Sequence, residues 1–226
     1  MPYGLDNYIF TSPLSILNSI ILAFGVYRIG LETQKIILNK FFTIKKNNDI
    51  YFYSFLVGTY FIYYFLYVIT IFQITNFLTF KIIAIMIYFL GLVSIGNFFL
   101  NKKSFFKFKS IKKLNFYNYT IFIILFGLML ISLSPITHSD SLGYHAASSI
   151  DILTRGSFDT ELLPMTSKLA AIGELVIALG FTLKLEQFGA LIQFCSLFAL
   201  VPLFFKKKNS ISSLVLLIIL LTPITI

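Results

Sequence analysis

The sequence predicts an all-α membrane protein with six or seven transmembrane helices and an amphipathic helix on the outer face after the fourth. Hydrophobic residues make up 58% of the 226 residues and charged residues only 12%. The mean hydropathy of +0.88 is too high for a soluble domain. The apolar residues also form long runs, and each can cross a hydrocarbon core of about 30 Å. These runs are residues 12–30, 51–74, 80–100, 119–135, 169–183, 188–205 and 211–226.

The fifth run, residues 169–183, is open to more than one interpretation. It is short and rich in Gly and Ala, and it carries Glu174 near its middle. A carboxylate inside a bilayer costs about 2.5–3.5 kcal/mol on insertion scales, so it tends to face protein or water. The run can therefore span the membrane, enter and leave on one side, or lie at the interface.

Lysines between the apolar runs predict the orientation of the chain. The first connection holds Lys35, Lys40, Lys45 and Lys46, and the third holds six lysines with no acid among them. Both connections are predicted to be cytoplasmic, which places loop 136–167 on the outer or periplasmic side of the inner (plasma) membrane. The lysines 206–208 fall on the outer side if the fifth run spans, and inside if it does not.

The net charge of +9 comes mainly from these connections. We expect the basic residues to mark topology and to contact anionic membrane lipids, and we expect no nucleic acid partner. No internal repeat or low-complexity linker is visible, so residues 1–226 are predicted to form one polytopic membrane domain. Because the last apolar run reaches Ile226 without a polar flank, we expect a further C-terminal portion.

Polar chemistry is concentrated in loop 136–167. Both histidines and four of the nine acids of the chain lie between His138 and Glu161. Ser139 or Asp140 can cap a helix that Gly156 ends. The pattern from residue 141 to 155 predicts an amphipathic helix at the outer membrane surface. Its apolar face comprises Leu142, Ala146, Ile150 and Leu153, and its polar face Asp140, Tyr144, Asp151 and Arg155.

The polar residues of this loop have structural as well as chemical interpretations. Asp140 can cap the helix or act as a catalytic carboxylate, and Asp151 can pair with Arg155 four residues later. His138 and His145 can serve as hydrogen-bonding groups at the level of the lipid headgroups. Their spacing with Asp140 matches no recognised metal signature, so no metal site is predicted. A loosely held divalent cation remains compatible with these three residues.

One pattern runs through the loop: Asp140, then Tyr144 and His145, then the amphipathic helix, and then Arg-Gly-Ser-Phe at residues 155–158. This pattern resembles the first outer loop of the polytopic C-type glycosyltransferase superfamily, which includes protein O-mannosyltransferases and aminoarabinose transferases. The sequence departs from that superfamily in three ways. Asp140 has no acidic neighbour, no Pro-Pro pair stands directly after Lys168, and more than one helix precedes the loop where many relatives have one.

The resemblance implies transfer of a sugar from a polyprenyl-phosphate donor to a glycan, lipid or protein acceptor on the outer face. A base close to the anomeric carbon would take the proton of the acceptor hydroxyl, and Asp140 is the candidate for it. Arg155 and Lys168 are candidates to neutralise the departing lipid phosphate. The predicted substrate-binding residues are His138, Tyr144, His145, Arg155, Lys168 and Glu174.

Other interpretations of these residues stay open. Lys168 can equally be an interfacial anchor, and Glu174 can be a protonated structural group or can bind an acceptor or a cation. Two further functions remain as alternatives. One is a transporter or flippase in which Glu174 is the coupling site, and the other is a non-catalytic membrane assembly subunit.

Overall fold

The computed structural model describes residues 13–41, 50–74, 76–100, 116–136, 145–156 and 171–205. Within these ranges the chain is entirely α-helical, without a β-strand, which confirms the predicted all-α class. The helices are α1 Pro13–Phe41, α2 Ile50–Ile71, α3 Phe77–Leu100, α4 Phe116–Ser132, α5 Ala147–Arg155, α6 Ala171–Phe181 and α7 Phe188–Phe205.

Three of the helices are long and apolar enough to cross a membrane, with the spans Pro13–Ile37, Tyr53–Ile71 and Phe77–Asn97. Shorter apolar helices lie at Tyr119–Ser132 and Phe188–Val201. Many large hydrophobic side chains on these helices point away from the bundle, as a surface in contact with lipid requires. The chain is therefore a membrane-embedded helical protein.

Helix α1 packs against α2 and α3 through glycines that bring the helix backbones into contact. On one side of α1, a Cβ atom added at Gly25 or at Gly91 of α3 would overlap a backbone oxygen of the other helix. On another side, Gly30 of α1 and Gly58 of α2 meet in the same way. Helices in lipid gain little from the hydrophobic effect, so such close packing is a main source of their association.

Hydrogen bonds between side chains accompany these glycine contacts. Ser54, near the start of α2, donates a 2.9 Å hydrogen bond to Gln34, near the end of α1, so these two helices run antiparallel. A short connection joins α2 to α3, which returns beside α1. There the Tyr88 hydroxyl donates a 2.8 Å hydrogen bond to Asn18. These two hydrogen bonds therefore join α1 to both of its neighbours.

The turn between α6 and α7 lies beside the start of α1. The Ser15 hydroxyl donates a 2.6 Å hydrogen bond to Gln187 Oε1 and lies 3.4 Å from the carbonyl oxygen of Lys184. We call this end of the bundle the Ser15 end, and the end at which α1 finishes the Lys35 end. Helix α6 therefore ends and α7 begins at the Ser15 end, and α7 runs toward the Lys35 end.

Helix α6 is short for a membrane span. Its 11 residues measure about 16 Å, roughly half of the 30 Å hydrocarbon core. Helix α6 packs against α2, α3, α5 and α7. Residues 157–170 lie outside the described residues, so whether the fifth apolar run crosses the membrane stays a prediction.

Helix α5 confirms the helix predicted in the polar loop. It covers Ala147–Arg155, and Gly156 follows it in the left-handed conformation, with a φ of 74° and its N–H bonded to the last turn at 2.9 Å. Three residues of the predicted apolar face, Ala146, Ile150 and Leu153, are buried. Residues 141–144, the start of the predicted helix, lie outside the described residues, as do both proposed capping residues.

The burial of α5 is broader than the single stripe that the sequence predicts. Ser148 and Ser149 are buried as well, because α5 packs against α6 and α3. On its polar face the Arg155 guanidinium lies 3.8 Å from the Asp151 carboxylate, the pairing that the four-residue spacing predicts. Helix α5 is therefore part of the helix bundle, and its angle to the membrane plane stays a prediction.

The α6–α7 turn buries an acid, Glu186. Its Oε1 accepts a 2.9 Å hydrogen bond from the Gln187 side chain. Burial raises the pKa of Glu186 above its ordinary value of 4.5, while hydrogen bonds from the Gln187 side chain and the Ile136 backbone oppose that shift. The folded protein therefore holds the Glu186 proton more tightly than the unfolded chain does.

This raised pKa predicts a pH dependence of stability that Glu186→Gln should weaken. As the pH rises above 4.5, the Glu186 proton is lost and the free energy of unfolding of the wild-type protein decreases. Glutamine stays neutral, so the Tm of the variant in detergent should fall less between about pH 5 and about pH 7. Glu32→Gln, which changes an exposed acid beside Arg28, is the control and should keep the wild-type pH dependence. Identical pH dependence in Glu186→Gln and wild type would contradict the assignment.

A second prediction concerns the backbone contact between α1 and α3. Gly91→Ala should destabilise the protein by about 1–3 kcal/mol, because the new Cβ meets a backbone oxygen that cannot move aside. Gly96, on the same helix, has no atom within 4 Å of an added Cβ. Gly96→Ala should therefore leave the Tm unchanged or raise it. Thermal unfolding in detergent measures both, and equal Tm values for the two variants would exclude the backbone contact as a determinant of stability.

Candidate functional site

A histidine and a glutamate meet where α5 and α6 begin. His145 Nδ1 lies 2.7 Å from Glu174 Oε1, although the two residues are 29 positions apart in the sequence. Both belong to the residues that the sequence predicts to bind substrate. The structure thus brings together two predicted site residues from separate segments, and we call them the His145–Glu174 pair.

The two members of the pair differ in exposure. The Glu174 side chain is 3% exposed, whereas the His145 side chain is 34% exposed. Glu174 lies in the first turn of α6, where the positive end of the helix dipole stabilises a carboxylate. Its second oxygen, Oε2, is buried and has no hydrogen-bond partner in the described part of the chain. A buried carboxylate needs a positive or hydrogen-bonding partner, and His145 supplies one.

The Ser149 hydroxyl contacts the backbone carbonyl groups of both His145 and Glu174. Its hydroxyl oxygen lies 2.7 Å from the carbonyl oxygen of His145 and 3.0 Å from the carbonyl oxygen of Glu174. Since a hydroxyl has a single proton, it donates to one of these carbonyls at a time or shares the proton between them. The first turn of α5 is thereby held against the first turn of α6, which fixes the imidazole relative to the carboxylate.

The pair lies about 10–12 Å from the Ser15 end of the bundle. Glu174 precedes the end of α6 at Phe181 by seven residues, which is about 10 Å along a helix. Tyr63 of α2 interacts electrostatically with Glu174 and precedes Ile71 by eight residues, about 12 Å. The two estimates agree and place the pair within the helix bundle.

The other predicted site residues are not part of this arrangement. Arg155 is ten residues after His145, about 15 Å along the helix, and lies beside Asp151. The structure therefore does not bring Arg155 to the His145–Glu174 pair. The remaining predicted site residues lie outside the described residues, and these are His138, Asp140, Tyr144 and Lys168.

Sequence reasoning missed three residues of this region: Ser149, Tyr63 and Glu186. Ser149 lies in the buried part of α5, where a serine carries no distinguishing pattern. Tyr63 is one of 13 tyrosines in an aromatic-rich chain. The sequence did contain a signal for Glu186, because it is an acid between two apolar runs of a sequence with few charges. Burying such a carboxylate in a membrane costs free energy unless it faces protein or water.

A buried carboxylate bonded to a partly exposed imidazole has two chemical uses. The carboxylate holds the ring in one orientation. A protonated ring donates a hydrogen bond from its other nitrogen, Nε2, to an anion, whereas a neutral ring can accept a proton from a substrate. No group of three or more His, Cys, Asp or Glu side chains suited to a metal ion occurs among the residues that the structure describes.

The chain matches a known family along nearly its whole length. The family model described as the DUF1420 N-terminal domain matches residues 1–106 and, in a second match, residues 97–221. These matches include the polar loop and both members of the His145–Glu174 pair. No curated protein and no solved structure gives a significant match. The chain therefore belongs to the DUF1420 family, whose N-terminal domain it contains.

Proposed function

We propose that this protein is a glycosyltransferase that moves a sugar from a polyprenyl-phosphate carrier to a glycan, lipid or protein acceptor at the outer face of the plasma membrane. One observation carries the proposal: the loop that resembles the C-type glycosyltransferases is bound to the membrane domain through the contact of His145 with the buried Glu174. The proposed site therefore combines polar groups of the loop with an acid held inside the helix bundle.

The depth of the pair supports a lipid-linked substrate. Helix α1 has 29 residues and measures about 43 Å, close to the 40–45 Å of a bilayer with its headgroups. A group about 10–12 Å below the Ser15 end then lies just below the headgroup layer. A polyprenyl phosphate keeps its chain in the hydrocarbon and its charged phosphate near the interface, so its reacting carbon lies at a similar level.

The proposed reaction needs a base for the acceptor and positive charge for the leaving group. The acceptor oxygen bonds to the anomeric carbon while the bond from that carbon to the phosphate oxygen breaks, and the phosphate keeps the electron pair. The proton of the acceptor hydroxyl passes to Asp140, the predicted base. Arg155 and Lys168 are the predicted cations for the phosphate, and His138 and Tyr144 are predicted substrate contacts.

We further propose six crossings, with the Ser15 end on the outer or periplasmic side. The crossings are α1 to α4, α7 and the last apolar run, while α6 does not cross. Because α7 begins at the Ser15 end, it finishes at the Lys35 end, and the lysines 206–208 follow it in the sequence. These lysines then share a side with Lys45 and Lys46, as the positive-inside rule expects.

This arrangement predicts which positions react with an impermeant thiol reagent in intact cells. On a Cys195→Ala background, Lys184→Cys should react, because residue 184 is exposed in the α6–α7 turn. Lys45→Cys should react only after the cells are permeabilised. Ser148 is unsuitable as an outer position because it is only 9% exposed. Reaction of Lys45→Cys and not Lys184→Cys in intact cells would reverse the orientation.

A second candidate function, ion-coupled transport, is favoured by one observation. Glu174 is a buried acid inside the helix bundle, and acids within membrane segments mark ion and proton pathways. Transport requires a sealed membrane, whereas sugar transfer proceeds with purified protein in detergent. Product formed in detergent therefore favours the transferase, and substrate-driven ion uptake by proteoliposomes without product favours transport.

The transferase proposal predicts a specific effect of Asp140→Asn. Asparagine caps a helix about as well as aspartate but cannot accept a proton, so the variant should fold and insert normally. It should lose transfer from a polyprenyl-phosphate sugar by about 10²-fold or more in the purified full-length protein. Asp151→Asn, which changes an acid already paired with Arg155, is the matched control and should retain activity. Near-normal turnover by Asp140→Asn would return Asp140 to the role of a helix cap.

A further inference from the structure

We propose that one face of α1 is the interface for a second copy of this chain, in which Arg28 of each copy pairs with Glu32 of the other. The inference does not depend on the proposed enzymatic function. It starts from three charged residues in the second half of α1, namely Arg28, Glu32 and Lys35, which we call the α1 charge cluster.

The α1 charge cluster begins inside the hydrocarbon layer. The apolar span Pro13–Ile37 has 25 residues and measures about 37 Å, so a centred core of about 30 Å leaves roughly 3.5 Å at each end. The Cα atom of Arg28, nine residues before Ile37, then lies about 10 Å inside the core. Glu32 lies about 4 Å inside, and Lys35 lies at the edge. Charges at such depths tend to face protein or water and to pair with one another.

The bundle leaves the cluster partly uncovered. Arg28 Nη2 lies 2.8 Å from Glu32 Oε1, and Lys35 Nζ lies 3.1 Å from the same oxygen. Within the described part of the chain, these ion pairs of the cluster all lie on α1 itself. The side chains of Arg28, Glu32 and Lys35 remain 31%, 45% and 55% exposed. At the depth of Arg28, an exposed surface of the bundle faces hydrocarbon unless another protein surface covers it.

The direction of the side chains limits how far Arg28 can escape to the headgroups. Side chains on a helix lean toward its N-terminus, which for α1 is the Ser15 end. The headgroup layer nearest to Arg28 is at the opposite end, beyond Lys35. The guanidinium reaches one turn in that direction and ends in the contact with Glu32, whose Cα atom is still inside the core. The ion pair therefore stays at a depth where lipid supplies no polar partner.

The residues around the cluster have the spacing of a helix–helix interface. Five residues follow one another at intervals of seven, four, three and four, and this spacing places them along one side of α1. None of the five is buried in the bundle. They are Leu17, Phe24, Arg28, Leu31 and Lys35, and we call them the α1 outer face. Alternation of three and four residues is the pattern by which two helices pack along a common seam.

The charges of this face are complementary to themselves, which favours a second copy as the partner. Each copy carries a cation at Arg28 and an acid one turn nearer the Lys35 end. In a dimer with its twofold axis along the membrane normal, each long Arg28 side chain can reach Glu32 of the other copy. Each carboxylate then lies between two guanidinium groups. A partner with charge of one sign would pair with Arg28 or with Glu32, but not with both.

The first test is cysteine cross-linking of the full-length protein in native membranes, on a Cys195→Ala background. Leu31→Cys places the thiol on the α1 outer face beside the cluster. Gly96→Cys is the matched control, because Gly96 lies at nearly the same depth on the side of α3 away from α1 and has open space around it. Oxidation should join two copies at Leu31→Cys with at least about fivefold more covalent dimer than at Gly96→Cys.

Reversal of single charges tests the pairing itself. Arg28→Glu gives each copy two acids and Glu32→Arg gives each copy two cations, so like charges would face each other in either dimer. Each change should lower the Leu31→Cys cross-link by about tenfold or more. Co-expression of the two variants with different affinity tags should restore a cross-linked dimer that carries both tags, because opposite charges then meet again. A role confined to the fold of one chain would not produce this restoration.

The outcomes decide between the interface and its alternatives. Preferential cross-linking at Leu31→Cys, loss in both charge variants and restoration in the mixed dimer together support the inference. Absent cross-linking at Leu31→Cys, equal yields at the two positions, or a cross-link to a different protein would overturn the second copy as the partner. A Leu31→Cys cross-link that neither charge variant weakens, or a mixed dimer that is not restored, would overturn the exchange of charges between copies.

Discussion

The bundle depends on direct contact between helix backbones along α1. In lipid, contact between apolar side chains contributes little free energy to helix association. Helix α1 therefore binds its neighbours at the glycines, where the helix backbones come closest. Gly25 and Gly30 lie in two such surfaces, one facing α3 and one facing α2. With α2 and α3 fixed in this way, their remaining faces join a continuous core with α5, α6 and α7. The half-length helix α6 could not be enclosed if α2 and α3 were free to separate.

Polar contacts then determine where α5 and α6 lie against the packed helices α1, α2 and α3. Glu174 is bonded to His145, Ser149 lies between the two backbones, and the α6–α7 turn is bonded to Ser15. Each of these groups would be costly to bury alone, because lipid offers no hydrogen-bond partners. Packing alone allows small sliding movements, whereas hydrogen bonds of this kind specify one register. His145 is therefore held against the folded membrane domain by these contacts.

The sequence allowed the helices to be predicted, but not the contacts between them. Long apolar runs and the glycine after residue 155 carry local signals, so α1 to α4, α7 and α5 were predictable. The meeting of His145 with Glu174 was not, because the approach of residues 29 positions apart depends on tertiary packing. The sequence did indicate both residues separately as polar groups in an apolar chain. Ser149 left no such signal, since a serine in a helix is equally common on a surface.

The contact between Ser15 and the α6–α7 turn has a consequence for the order in which the chain is assembled. Ser15 and Gln187 are 172 residues apart, so α1 emerges from the ribosome long before its last partner exists. The first three helices can assemble through their glycines as they insert, while the acids of α6 and its turn arrive later and need polar partners at once. His145 precedes Glu174 in synthesis, so its imidazole is already available when that carboxylate reaches the membrane. The polar contacts of α5, α6 and the α6–α7 turn therefore form after α1, α2 and α3 have been synthesised.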